Sequence, residues 1–282
     1  MEEQRIVLCA TGDNSMGQLL IHGSQMSLVP TECNHPSLSE GMISTISSYK
    51  CSNAVVIGDK IVFFKPGDEP LTISNDCLGI RCLDQTCLVL RKDHQLFNAK
   101  NGEILKDHLV SSFSATSIIT AAVDKDGLAF MAPSDLKKKP IEIGNGAISV
   151  CCTEDAVYVA KEDGLYVYNG QKLELLFNMD NIKSLVSSEY EMAIIDQQGF
   201  VYTLRNDNPL RVYGLPPVIK VAVGTQHFAA ITTDHQLFVW GFNPSGQFGI
   251  GTTVFSDDPL KVMDDVLDVS CGENHMLVLC NK

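Results

Sequence analysis

Ten cysteines, seven histidines and a few close carboxylate groupings are the residues of this 282-residue chain whose types could do chemistry. Cys77, Cys82 and Cys87 stand five apart, whereas structural zinc sites draw on Cys-x-x-Cys pairs. Cys151 and Cys152 are adjacent, so on a strand their thiols point to opposite faces. Asp124-Lys125-Asp126-Gly127 has the start of a calcium loop but lacks the downstream acidic ligand, and a tight hairpin turn accounts for all four residues. His227 and His275 each sit beside an apolar strand-like run, where a buried, hydrogen-bonded ring is expected rather than a catalytic one. Phosphate loop, nucleophile elbow and His-x-Glu pattern are all missing from the sequence. The reading is therefore of a chain with no metal site, no cofactor and no catalytic constellation.

Charge narrows the partners. Lys and Arg number 21 against 34 Asp and Glu, a net charge of −13 that opposes binding to a polyanion. The one dense basic run, Lys137-Lys138-Lys139, reads as a solvated turn, so a nucleic-acid partner is not expected. No apolar run approaches the roughly 18 to 20 residues of a membrane span, and the start Met1-Glu2-Glu3-Gln4-Arg5 is acidic where a secretory signal is basic. A soluble protein of the cytoplasm or nucleus is the expectation. The cysteines lie in apolar runs such as Cys87-Leu88-Val89-Leu90, which suits reduced core thiols better than a disulfide framework.

The elements that carry these residues repeat. An apolar strand, a turn rich in Asp, Lys, Gln and Gly, and a second apolar strand recur as a β-hairpin signal. The first strands of six such units end at residues 57, 90, 123, 160, 195 and 232, in steps of 33, 33, 37, 35 and 37. A seventh, Met276-Leu277-Val278-Leu279, runs into the end of the sequence without a second strand, while Arg5-Ile6-Val7-Leu8-Cys9-Ala10 is a strand without a first. Joining the two completes a seventh unit and leaves only short sheet edges. The fold class that follows is all-β: one seven-bladed β-propeller over 1–282, closed by its N-terminal strand pairing in the last blade. The blades are expected at 43–74, 75–109, 110–144, 145–178, 179–217 and 218–263, with 264–282 and 1–33 sharing the last.

The segment from Val221 to Gly249 contains Val-Gly, then His227, an apolar strand, a turn, and Trp240-Gly241-Phe242-Asn243 followed by Gly246-Gln247-Phe248-Gly249. It resembles the regulator-of-chromosome-condensation repeat over its whole signature. Cys271-Gly272-Glu273-Asn274-His275 begins a second copy, whose other half is Gly12-Asp13-Asn14-Ser15-Met16-Gly17-Gln18-Leu19. The resemblance thus joins the two termini independently of the strand count. The middle five blades lack the histidine, the Trp-Gly and the Gly-Gln, so there only spacing carries it. Asn14, Gln18, Asn243 and Gln247 are read as tying loop backbone through side-chain hydrogen bonds.

Function in such scaffolds lies in loops at the rim rather than in the sheets. The candidate partner-binding rim comprises Asp13, Asn14, Thr225, Gln226, Phe242, Asn243, Glu273 and Asn274. Phe242 occupies the variable position of Trp-Gly-x-Asn, where an exposed aromatic would anchor an interface or else pack locally onto Pro244. The leading expectation is a non-enzymatic scaffold or regulatory subunit whose acidic rim engages another protein. The alternative that the resemblance implies is guanine-nucleotide exchange on a small GTPase such as Ran, against which the short middle blades leave little room for an inserted hairpin.

Overall fold

The computed structural model describes the chain except residues 1–4, 75, 101, 106 and 135–138. Among the described residues, twenty-eight strands form seven four-stranded antiparallel sheets. The first blade is β3 (Ile43–Tyr49), β4 (Ser52–Ile57), β5 (Lys60–Phe64) and β6 (Leu71–Ser74), and the second is β7 (Cys77–Cys82), β8 (Cys87–Arg91), β9 (Leu96–Asn98) and β10 (Gly102–Glu103). The third holds β11 (Val110–Ala115), β12 (Ile119–Asp124), β13 (Ala129–Pro133) and β14 (Ile141–Gly144), and the fourth β15 (Ser149–Cys152), β16 (Val157–Lys161), β17 (Gly164–Tyr168) and β18 (Leu173–Asn178). In the fifth are β19 (Ile182–Ser187), β20 (Met192–Asp196), β21 (Val201–Arg205) and β22 (Asn208–Arg211), and in the sixth β23 (Val218–Val223), β24 (His227–Thr232), β25 (Leu237–Gly241) and β26 (Ser256–Met263).

The last blade is composite, in the order β2-β1-β28-β27, with β1 (Ile6–Asp13), β2 (Met26–Glu32), β27 (Val266–Cys271) and β28 (His275–Asn281). The register runs from Ile6 opposite Asn281 to Gly12 opposite His275, and Arg5 and Lys282 exchange backbone hydrogen bonds of 3.0 and 2.9 Å beyond it. The closing strand expected from the sequence is thus present. Cys9 and Cys280 are both thiols on this strand pair, and the neighbouring Cys280 lowers the pKa of the Cys9 thiol.

What the sequence showed as the first strand of each unit is the second of its blade. β4, β24 and most of β28 are buried at every position, because blades pack on both their faces, and such strands read as continuous apolar runs. The innermost strands, β3, β7, β11, β15, β19, β23 and β27, mix small, polar and apolar residues and carry no such pattern. They are joined blade to blade by side chains. Asp268 and Ser270 accept from the amides of Ile46 and Ser48, at 3.2 and 2.7 Å. Ser47 accepts from Cys82 N at 2.8 Å, and Ser149 from Leu185 N at 3.0 Å. These bonds supply partners to buried backbone where two sheets meet and no ladder exists.

The turn Asp124 to Gly127 is a hairpin turn, with Asp124 Oδ1 accepting from the amides of Asp126 and Leu128 at 3.0 and 2.9 Å. Of the basic run, Lys139 is exposed, and Lys137 and Lys138 lie outside the described residues.

Candidate functional site

The turns between the first and second strands and the loops between the third and fourth emerge on one face of the ring. In blades six and seven the longer loops are built alike, bond for bond. Phe242 N donates to Gln226 O at 2.8 Å, as Asp13 N does to Asn274 O at 2.9 Å. Phe248 N donates to Asn243 Oδ1 at 2.9 Å, matching Leu19 N to Asn14 Oδ1 at 2.8 Å. Ser245 N donates to Gln247 Oε1 at 3.0 Å, matching Met16 N to Gln18 Oε1 at 2.9 Å. The short turn therefore props the long loop, and Phe242 and Asp13 are equivalent positions. Gly241, at φ +101°, admits this approach: a Cβ there would stand 2.5 Å from Gln226 O. Where the sixth blade closes its loop on Gly249 (φ 72°), the seventh uses Leu20, held at φ 56°.

All eight candidate rim residues lie on this face, but they do not share one role. Asn243 is fully buried, with its amide donating to Thr252 O and Val254 O at 2.9 and 3.0 Å, and Asn14 is 7% exposed and donates to Ser24 O at 2.6 Å. Both are buried and tie the backbone of their own loops. Asp13 is half-buried and accepts from Ser15 and Gln18, so it too is occupied by its own loop. Thr225 and Asn274 are half-buried, while Gln226, Glu273 and Phe242 are exposed. Phe242 pairs with Phe255, their rings 6.3 Å apart and 24° from parallel. The two are 54% and 61% exposed, and Val254 beside them is 65% exposed. Phe255 escaped the sequence reading because it lies beyond the recognisable signature.

The histidines are structural. His227 and His275 are fully buried, and each ring occupies the space a Cβ would need on Gly224 or Gly272, which explains the Gly-x-x-His spacing. His275 Nε2 meets Asn53 Oδ1 at 3.0 Å. His227 makes only a contact short of hydrogen-bond geometry with the His275 backbone, so its expected hydrogen bond is replaced by packing on the glycine. Burial lowers the pKa of His227 to about 4 and that of His275 to about 3.

A cluster not legible in the sequence closes the centre of this face. Tyr49 and Lys50, at the end of β3 and in the turn after it, reach across the ring to Glu189 in the fifth blade. Tyr49 OH hydrogen-bonds Glu189 Oε1 and accepts from Ser117 N at 2.8 Å, and Lys50 Nζ lies 2.9 Å from Glu189 Oε1. Arg81 of β7 donates to Ala115 O at 3.2 Å and to Ser187 O at 2.6 Å. Burial raises the pKa of the Glu189 carboxyl, but the hydrogen bonds from Tyr49 and Lys50 outweigh it and hold it below the ordinary glutamate range. Burial and the same Glu189 contact push the Tyr49 hydroxyl up. The chemistry is that of a brace: every member is engaged, and none is a free base or nucleophile.

Around the brace the turns between first and second strands, two to four residues long, carry Asp84, Glu154, Asp155, Glu189 and Glu273 against Lys50. The channel mouth is accordingly acidic. Burial, with Glu189 second, raises the pKa of Glu154.

Sequence profiles described as "Regulator of chromosome condensation (RCC1) repeat" match residues 234–279 and 218–247. Among curated proteins, the human RCC1-like G exchanging factor-like protein is 41% identical over 67 residues, 23% of this chain and 14% of that protein. The mouse X-linked retinitis pigmentosa GTPase regulator is 33% identical over 82 residues, 27% of this chain and 8% of that protein. The guanine nucleotide exchange factor SRM1 of Saccharomyces cerevisiae is 29% identical over 128 residues, 36% of this chain and 27% of that protein. The chain thus aligns with about a quarter or less of each of these relatives' own length. Among solved structures, Prp20p of Saccharomyces cerevisiae superposes with a TM-score of 0.79 at 14% identity, covering 99% of this chain and 92% of that one. Human WBSCR16 gives 0.76 at 15% identity, covering 99% and 100%. These structural likenesses show the fold alone. The chain is thus a seven-bladed propeller whose residues 218–279 match the RCC1 repeat.

Proposed function

We propose that this propeller is a non-enzymatic interaction module that engages a protein partner on the face of its strand 1–2 turns and 3–4 loops. The observation that carries the reading is the stacked, exposed pair Phe242 and Phe255 on a loop whose backbone is locked by Asn243 and Gln247. Aromatic side chains bring large contact area at low entropic cost, and a fixed loop removes the cost of ordering them, the usual makings of an interface anchor. Glu273 and the acidic channel mouth lie on the same face, which favours a partner with a basic patch beside an apolar pocket.

Guanine-nucleotide exchange is the second reading, favoured by relatives that carry that activity in their names. The test is affinity purification of the tagged chain compared with the variant carrying both Phe242→Ala and Phe255→Ala. Partners bound through this face are expected to be lost from the variant while its melting temperature stays within a few degrees of the parent. Retention of every partner sinks the reading. Faster release of labelled GDP from a captured GTPase would replace it with exchange.

A further inference from the structure

The channel along the ring axis is blocked at the partner face and hollow below it. Tyr49, Lys50, Arg81 and Glu189 fill the mouth, and a cavity of about 250 Å³ lies beneath, lined by the innermost strands. Arg81 lines both the filled mouth and the cavity, so it stands at the cavity floor, while Lys220, with a side chain 41% exposed, stands toward solvent. The cavity is a pit that opens on the face opposite the proposed partner surface.

The chemistry of its wall is one-sided. Arg81 and Lys220 line it and, among the described residues, no carboxylate does, in a chain of net charge −13. The nearest acid, Asp268, is committed to Lys220 and to the amides of Ile46 and Val269. Arg81 spends Nε and Nη2 on carbonyls of Ala115 and Ser187, and among the described residues nothing takes Nη1. Ser47 and Ser270 accept from amides of the neighbouring blades, which leaves both hydroxyl protons free to donate. A partly enclosed wall with surplus donors and one guanidinium, Arg81, whose bonds go to carbonyls and not to a carboxylate, stabilises an anion more than bulk water does. The rest of the wall, Ile46, Ile80, Phe113, Val186 and Val221, is apolar.

We propose that this pit is a binding site for a small organic anion, its charged group on Arg81 at the floor and its apolar body against the isoleucines, valines and phenylalanine above. The volume is just below that of pockets for drug-sized ligands, so the occupant is small. The site shares no residue with the partner rim, and the two can be filled together.

Titration of the methyl-labelled full-length chain with phenyl phosphate, inorganic phosphate and phenol at constant ionic strength, followed by NMR, tests this. Phenyl phosphate is expected to give saturable shifts confined to the methyls of Ile46, Ile80, Val186 and Val221, to bind more tightly than phosphate, and phenol to give none. Arg81→Met is expected to weaken binding about tenfold or more. Because Arg81 also braces the ring, Ile80→Phe serves as the second variant: it fills the pit with every Arg81 bond in place and is expected to abolish the shifts. Equal shifts with phenol, shifts scattered over the surface, no saturable shift, or binding indifferent to Ile80→Phe would overturn the proposal.

Discussion

Glycine and histidine act as one unit in blades six and seven. The ring of His227 lies where the Cβ of residue 224 would be, and a Cβ there would also stand 2.8 Å from Gly272 O in the next blade. Gly224→Ala is therefore expected to cost about 3 kcal/mol, the upper range of overpacking. Combined with His227→Ala it should be partly relieved, so that a double-mutant cycle in urea gives a coupling of about 1 kcal/mol or more. Strict additivity would show that the ring and the glycine are independent. That these histidines are buried was legible in the sequence, since each precedes an apolar strand. That His227 is held by packing without a ring hydrogen bond was not, because it depends on the backbone of an adjacent blade.

At the scale of the strand, β1 carries the closure. Val7, Leu8, Cys9 and Ala10 are buried between the last blade's neighbours, and β1 is all that links β2 to β28. Each large side chain withdrawn from that site costs about 1.5 to 3 kcal/mol, against a total stability of about 5 to 15 kcal/mol for a typical domain. Deletion of residues 1–13 is expected to lower the melting temperature by about 10 °C or more, or to abolish a cooperative transition. A melting curve unchanged by the deletion would separate the strand from the stability of the ring. The blade boundaries follow the expected ones closely because second and third strands announce themselves as apolar runs. First and fourth strands, such as β23 with a half-exposed Lys220 and β26 with no buried residue, give no such signal.

Across the whole molecule, buried ionisable groups set the response to acid. An unfolded histidine takes up its proton near pH 6.5, whereas His227 and His275 resist protonation until about 4 and about 3 in the fold. The unfolded chain thus binds more protons below pH 6.5. Stability is full above that value and falls by about 1.4 kcal/mol per histidine per pH unit between about 6.5 and 4. Glu189, with its pKa lowered, loses its contribution in the same direction as pH falls through the carboxylate range. Urea midpoints from pH 8 to 4.5 are expected to show this loss, with His275→Gln removing about half of the histidine slope; a flat profile would contradict the burial of the two rings. By itself the sequence determined the number of blades and the joining of the termini, because a repeated hairpin is a local pattern and the unpaired strands at each end had only one another. Only the tertiary structure decided that Tyr49, Lys50 and Arg81 meet Glu189 and Ser187 across the axis, that Phe242 faces Phe255, and that a cationic pit lies beneath. The residues of the brace and the pit lie in different blades, far apart in the chain, and only closure of the ring brings their strands to a common centre, whereas Phe242 and Phe255 share one loop whose folding back pairs them.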